Sequence, residues 1–210
     1  MTAWTGFSKY VRPFVPGCPE EVITTAVKTA GIEFCKETSL YRANLSDFST
    51  VVGTDEYTLN PPANTRILYP VDVTYDQSPL MMKTEDELDD VDRGWRIAGN
   101  GTPLYYFMLD PTTIKFSRKS DEAVTVKIRV ALYPTEDSTS VDDLVFEDFY
   151  NVIAEGAKAI LFNMKGYDWY EPNQARACAL SFQNGKIEGY SKAYKGNVRK
   201  TTTVRMKRFI

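Results

Sequence analysis

The sequence predicts an α+β fold: an α-helical bundle made from the N- and C-terminal segments, an inserted antiparallel β region, and an extended C-terminal arm. Three observations predict it. Apolar residues recur at helical spacing towards both ends of the chain. The middle is rich in Val, Ile, Thr and Tyr, regularly interrupted by Pro and Gly. The last stretch is basic, with apolar residues at alternate positions. The expected division is a bundle over 1–39 and 141–196, a β region over 40–140, and an arm over 197–210.

The first element is short: Trp4 to Val11 offers one or two helical turns before PFVPGCP interrupts them. Pro19 then sits where a helix favours its first residue, with Glu20 and Glu21 in the electropositive first turn. Ile23, Val27, Ala30 and Phe34 follow on one face, which predicts an amphipathic helix over 19–38.

From Leu40 to Pro134 the grammar is that of strands. TRILYPVDVTY, PLYYFML, TIKFS and AVTVKIRVALY carry β-branched and aromatic residues. In the last of these, Val124, Val126, Ile128 and Val130 alternate with Thr125, Lys127 and Arg129. An antiparallel sheet or small sandwich of roughly five to seven strands is expected. TEDELDDVD reads as a short acidic helix or turn within it, and GWRIAGNGTP as a loop.

Helical spacing returns at VDDLVFEDFYNVIAEGAKAILFNM. Asp142 or Asp143 can cap this helix, and Phe146, Tyr150, Ile153, Ala157, Ile160 or Leu161, and Met164 make one stripe. Gly166 is the expected C-cap, and Pro172 opens the last helix, which reaches about Tyr194. Its expected inner face is small: Ala175, Cys178 or Ala179, Phe182, Gly185 and Gly189. The arm after it holds most of a basic run in which Lys186 to Ile210 contains eight Lys/Arg and one acid, Glu188.

Composition narrows the function classes. The 210 residues are 43% hydrophobic and 25% charged with a net charge of −3, which suits a packed domain rather than a disordered or collagenous chain. No apolar run approaches the roughly 20 residues that cross a bilayer, so no membrane role is expected. The N-terminus lacks the basic-then-apolar layout of a secretory signal. Three widely spaced cysteines without a CxxC pair suit buried thiols in a reducing compartment. Histidine is absent, which removes Ser-His and Cys-His nucleophiles and the commonest zinc ligand. Neither a cofactor nor a metal site is expected, and no residue is assigned a catalytic role.

Two stretches carry a resemblance. VRPFVPGCPEEVITTAVKTAGIEFCKETSLYR contains Pro13 to Pro19, an amphipathic helix, Glu33-Phe34-Cys35 and the pair Tyr41-Arg42. ALYPTEDSTSVDDLVFEDFYNVIAEGAKAILFNM has a strand, a proline, a loop and a helix in succession. Both resemble the head-to-tail adaptor (connector) family of tailed phages, and the layout is similar to the tail tubular or gatekeeper adaptors of short-tailed phages. The resemblance implies a non-enzymatic structural virion protein, assembled in the host cytoplasm and seated at the head–tail interface. Its implied form is a ring, typically of twelve copies, between a portal protein and a tail or nozzle protein. Genomic DNA would pass through the lumen without sequence-specific binding.

Individual residues can be weighed within that frame. Arg199, Lys200, Val204, Arg205, Met206, Lys207, Arg208, Phe209 and Ile210 form the candidate docking arm for the portal or a neighbouring subunit, since apolar and basic residues interleave there. A nucleic-acid tail and a strand of the domain's own sheet are the alternatives. Tyr167, Trp169 and Tyr170 sit on the helix connection, as packing or as an inter-subunit contact. Cys18 beside a helix start could be reactive, though a buried turn thiol is the expectation. The acid run from Glu85 to Asp92 misses the EF-hand pattern and reads as a solvated face, or as a surface that repels DNA or meets a basic partner. The rival reading of the whole chain is a monomeric ligand- or carbohydrate-binding module, with the aromatics of GWRIAGNGTPLYYF as its platform.

Overall fold

The computed structural model describes residues 1–195. The chain opens with β1 (Thr2–Ala3), a 3₁₀ turn, α1 (Ser8–Val11) and a second 3₁₀ turn before α2 (Glu20–Thr38). Pro19 is the N-cap of α2, and Ser39 ends it in the left-handed region at φ 51°, its N–H donating to the Cys35 carbonyl. The middle contains β2 (Arg42–Asn44), β3 (Phe48–Ser49), β4 (Glu56–Thr58), β5 (Thr65–Tyr75), β6 (Ser78–Pro79) and β7 (Met81–Met82). It continues through α3 (Glu85–Val91), β8 (Tyr105–Asp110), β9 (Thr113–Phe116) and β10 (Thr125–Pro134). After β11 (Ser140–Val141) come α4 (Asp143–Phe162) and α5 (Pro172–Lys195).

The expected bundle with a projecting β insertion is overturned. Among the described residues strands take up 24% against 43% for helices, in three sheets, which is too much and too well integrated to be an excursion. One sheet runs β2-β10-β5-β6, with β3 also on β10; a second runs β4-β9-β8-β7; a third pairs β1 with β11. The physical reason is a shared core. Val73, Ile128, Val130 and Leu132 of the first sheet belong to the same buried cluster as Phe34, Ile153 and Phe182 of the helices. The β region is not purely antiparallel either, because β7 pairs with β8 in parallel. The 197–210 arm lies outside the described residues, where the last element is the helix α5.

The alternation read in β10 is present up to Val130, with Val126, Ile128 and Val130 buried and Thr125, Lys127 and Arg129 exposed. Register shifts after Arg129 and Ala131 then break the period, and Val130, Ala131 and Leu132 are all buried. A bulged strand turns consecutive side chains into the core, here where β10 passes beneath α2. β5 and β6 meet at a tight hairpin in which Asp76 and Gln77 both have positive φ without a glycine.

The α4 stripe also needs correction. Its buried face is Val145, Phe149, Ile153, Ala157 and Leu161, whereas Phe146, Tyr150, Ile160 and Met164 are only partly buried. Phe149 departs from helical geometry at φ −130°, ψ 16°, and this kink rotates the first turns relative to the rest. Asp142 caps the helix through its carboxylate on the Leu144 N–H at 2.9 Å. Asn163, not Gly166, is the C-cap, with Gly166 in the following turn at φ 89°.

Candidate assembly surfaces

Three features of the sequence reading can be placed on the structure. The first is the helix connection. Tyr167 and Trp169 stack with ring centroids 4.6 Å apart and planes 13° from parallel, while Tyr167 and Tyr170 are exposed. Trp169 packs partly against the core, and its buried indole N–H meets no acceptor among the described residues. The turn is held by the Tyr170 N–H on the Tyr167 carbonyl (3.0 Å) and the Glu171 N–H on the Phe162 carbonyl (2.9 Å). The three aromatics are therefore one fixed tip with two exposed rings.

The second feature is the acid run, a solvent-exposed face laced by capping and ion-pair contacts. Thr84 and Glu87 close a reciprocal capping box at the start of α3. Arg96 bonds Glu85 at 3.2 Å and Asp89 at 3.0 Å, Lys83 approaches Glu87, and Arg118 approaches Asp92. Hydrogen bonds from Arg96 and then from the Trp95 indole lower the Asp89 pKa below the usual carboxylate value. Three cations, Lys83, Arg96 and Arg118, thus answer part of the run's charge inside the chain. Among the described residues no group of three or more His, Cys, Asp or Glu is placed to hold a metal ion.

The third is the aromatic stretch proposed as a ligand platform. Trp95 is buried, donates to Asp89 Oδ1 at 2.8 Å and meets Phe107 edge-on at 5.3 Å. Tyr106 is buried as well. Trp95 and Phe107 form a satellite core with Leu88, whereas Tyr106 belongs to the main core, so none of the three rings is displayed to solvent. The thiols are also inward. Burial raises the Cys18 pKa, and it pushes Cys35 up to about 12 and Cys178 up to about 11, away from reactivity.

Arg199, Lys200, Val204, Arg205, Met206, Lys207, Arg208, Phe209 and Ile210 lie outside the described residues. The point from which they depart is described: Tyr194 and Lys195 border a groove with Arg42 and Arg129 of the sheet, Asp142 and Lys192. That groove is itself predominantly basic.

Sequence reasoning missed the outer face of α5. Leu180 is 68% exposed, Ile187 65% and Tyr194 76%, and they recur every seven residues. Tyr190 is exposed beside them. The signal was legible as the 180-187-194 repeat, but the small inner stripe accounted for the helix's packing and the second periodicity went unread. A further exposed apolar group, Met81, Met82 and Leu104, lies at the β7 edge, where the Met81 N–H bonds the Leu104 carbonyl at 3.1 Å.

Neither family models nor curated proteins yield a match to this chain.

Proposed function

We propose that this chain is a structural virion protein: a head-to-tail adaptor whose copies form a ring between portal and tail, with genomic DNA passing through the lumen. The observation that carries the reading is that exposed apolar side chains gather at three separate places: the α5 outer face, the Tyr167–Tyr170 tip and the β7 edge. A monomeric module needs one binding surface. A ring subunit needs several, for its neighbours and for the proteins above and below. The resemblance of Pro13–Pro19, Glu33-Phe34-Cys35 and the junction before α4 supplies the particular assembly.

The mechanism is additive association. Contacts that are weak for one pair become stable when repeated around a ring templated on a portal. In this reading the basic arm of residues 199–210 docks on carboxylates of a receiving chain. The ligand-binding module is the weaker alternative, since its aromatic platform is buried. The test is the mass of the purified chain with and without the portal protein of the same virion. A portal-dependent ring supports the adaptor reading, and a chain that ignores portal at every ratio removes it.

A further inference from the structure

We infer that the open edge of β7, continued by α3, receives residues 199–210 of a second copy of this chain. β7 is the outermost strand of its sheet. The Met81 N–H donates to the Leu104 carbonyl at 3.1 Å, and the Lys83 N–H to the Tyr106 carbonyl at 3.0 Å. Strand alternation therefore turns the Met82 N–H and C=O away from β8, towards the open side. Met81, Met82 and Leu104 are exposed around them. An apolar strand edge left open is a template for another strand.

Charge and pattern name the occupant. All 28 acids lie within residues 1–195, beside 20 of the 25 Lys/Arg, so the described body carries −8 and the segment after it +5. The segment holds no acid, and its counter-charge is on a body. Next to the β7 edge, Lys83 to Arg96 holds six carboxylates and three cations, and Arg118 reaches in to Asp92. Two carboxylates remain in excess. Asp86 and Asp90 are the two that make no ion pair among the described residues. One turn apart, they lie about 200° around α3 from buried Leu88, on its outward side. Lys83, the cation beside the edge, is itself engaged by Glu87 at 3.9 Å. Val204, Met206 and Ile210 therefore suit the methionine edge, while Arg205 and Lys207 suit Asp86 and Asp90.

Topology makes the partner a second copy. Lys195 borders Arg42 of β2, the outer strand on one side of the first sheet. β7 continues from β6, the outer strand on the other side, with Leu80 alone between them. A donor at one edge and an acceptor at the other give a head-to-tail contact, the kind that closes into a ring. A single contact of this size buries less than the roughly 1,000 Å² of a stable interface, so it is transient until repeated around a ring. This docking deepens the adaptor reading and rests on it for the ring.

The experiment is cross-linking between full-length chains without portal. Met82→Cys chains are mixed with Val204→Cys chains and treated with a short bismaleimide, the three native thiols being buried. Met82, Asp86 and Asp90 are exposed and the Thr84–Glu87 capping box stays in place, so the variants keep the native circular dichroism and melting midpoint. A mixed dimer is expected, well above the yield of either variant alone. Adding Asp86→Lys/Asp90→Lys to the Met82→Cys chain should lower it on the order of tenfold, and Arg205→Glu/Lys207→Glu in the Val204→Cys chain should restore it. No mixed dimer at any concentration overturns the proposal. So does a mixed dimer indifferent to charge reversal. A Met82→Cys/Val204→Cys chain that links within itself at every dilution also overturns it, making the chain's own segment the occupant. A portal-dependent ring formed equally well by Asp86→Lys/Asp90→Lys removes this docking and leaves the adaptor reading standing. A charge-rescued mixed dimer from a chain that ignores portal supports the docking and removes the adaptor reading.

Discussion

Lys186 of α5 reaches across to Glu33 of α2, with Nζ 2.6 Å from Oε1 although 153 residues separate them in sequence. The ammonium is buried and lies 4.8 Å from the Phe182 ring centroid, while Glu33 and the more distant Glu37 are substantially exposed. The asymmetry gives the first prediction. Removing the carboxylates strands a buried charge, whereas removing the lysine leaves carboxylates that water can solvate. Glu33→Gln/Glu37→Gln should cost about 2 kcal/mol, and Lys186→Met less than about 1 kcal/mol. Denaturant midpoints of the variants measure both, and a reversed order contradicts the assignment.

Gly185 lets α5 approach Val152 of α4 closely. A Cβ placed there would lie 2.3 Å from Val152 Cγ1 and 2.5 Å from Cγ2. Gly185→Ala should therefore lose about 1–3 kcal/mol by overpacking, despite alanine's better helix propensity. Val152→Ala opens the same space, so adding it to Gly185→Ala should recover part of the loss. Additive costs in this double-mutant cycle would deny the contact.

Such contacts separate what was legible from what was not. Helix α2 was readable because Pro19, the two glutamates and the Ile23–Phe34 spacing all act within one element. The small face of α5 was readable for the same reason. The shared core of sheet and helices was not, since it depends on β10 losing its alternation at two bulges, after which Ala131 and Leu132 turn inward together. Nor was the kink at Phe149, which moves the buried stripe of α4 to Val145 and Phe149. Of the candidate site, the tip aromatics were visible as a cluster. Their stacking and the second stripe of α5 emerged only once the inner face was known.

The corrected stripe can be tested directly. Ile153 is fully buried and Ile160 only partly so. Ile153→Ala should cost roughly 2–5 kcal/mol and leave a cavity, with Ile160→Ala clearly less. Equal shifts in the unfolding midpoint would restore the unkinked stripe.

Alkaline pH should weaken the fold. Burial pushes Cys35 up to about 12, Cys178 up to about 11 with help from the Glu155 carboxylate, and the Tyr106 phenol up to about 12. In the unfolded chain thiols titrate near about 8.5 and tyrosine near about 10. The unfolded state therefore releases protons that the folded state retains. The stabilisation is complete below about pH 8.5 and is lost progressively as pH rises towards 12. Urea midpoints should fall between pH 8 and 10.5, and Cys35→Ala should flatten that fall after allowance for its lower starting stability. Thiol-reactive reagent at pH 8 should label these cysteines only as fast as the chain opens.

The basic segment beyond α5 carries the last prediction. Val204, Met206 and Ile210 interleave with Arg205, Lys207 and Arg208, while Arg199 and Lys200 precede them. The groove where the described chain ends is lined by Arg42, Arg129, Lys192 and Lys195, with Asp142 the one acid among its lining residues. Placing this segment there would set cation against cation, so the proposed function has it dock on a receiving surface of another chain instead. The core of the described residues closes at Ala193 without the segment. A chain ending at Gly196 should therefore keep its helix content and melting midpoint but fail to co-sediment with portal at matched salt. Unchanged attachment would remove the arm from the docking role. Unfolding of the shortened chain would make the segment part of the domain itself. Loss of DNA binding with attachment intact would assign the cations to nucleic acid, with a salt dependence proportional to the number of phosphates neutralised.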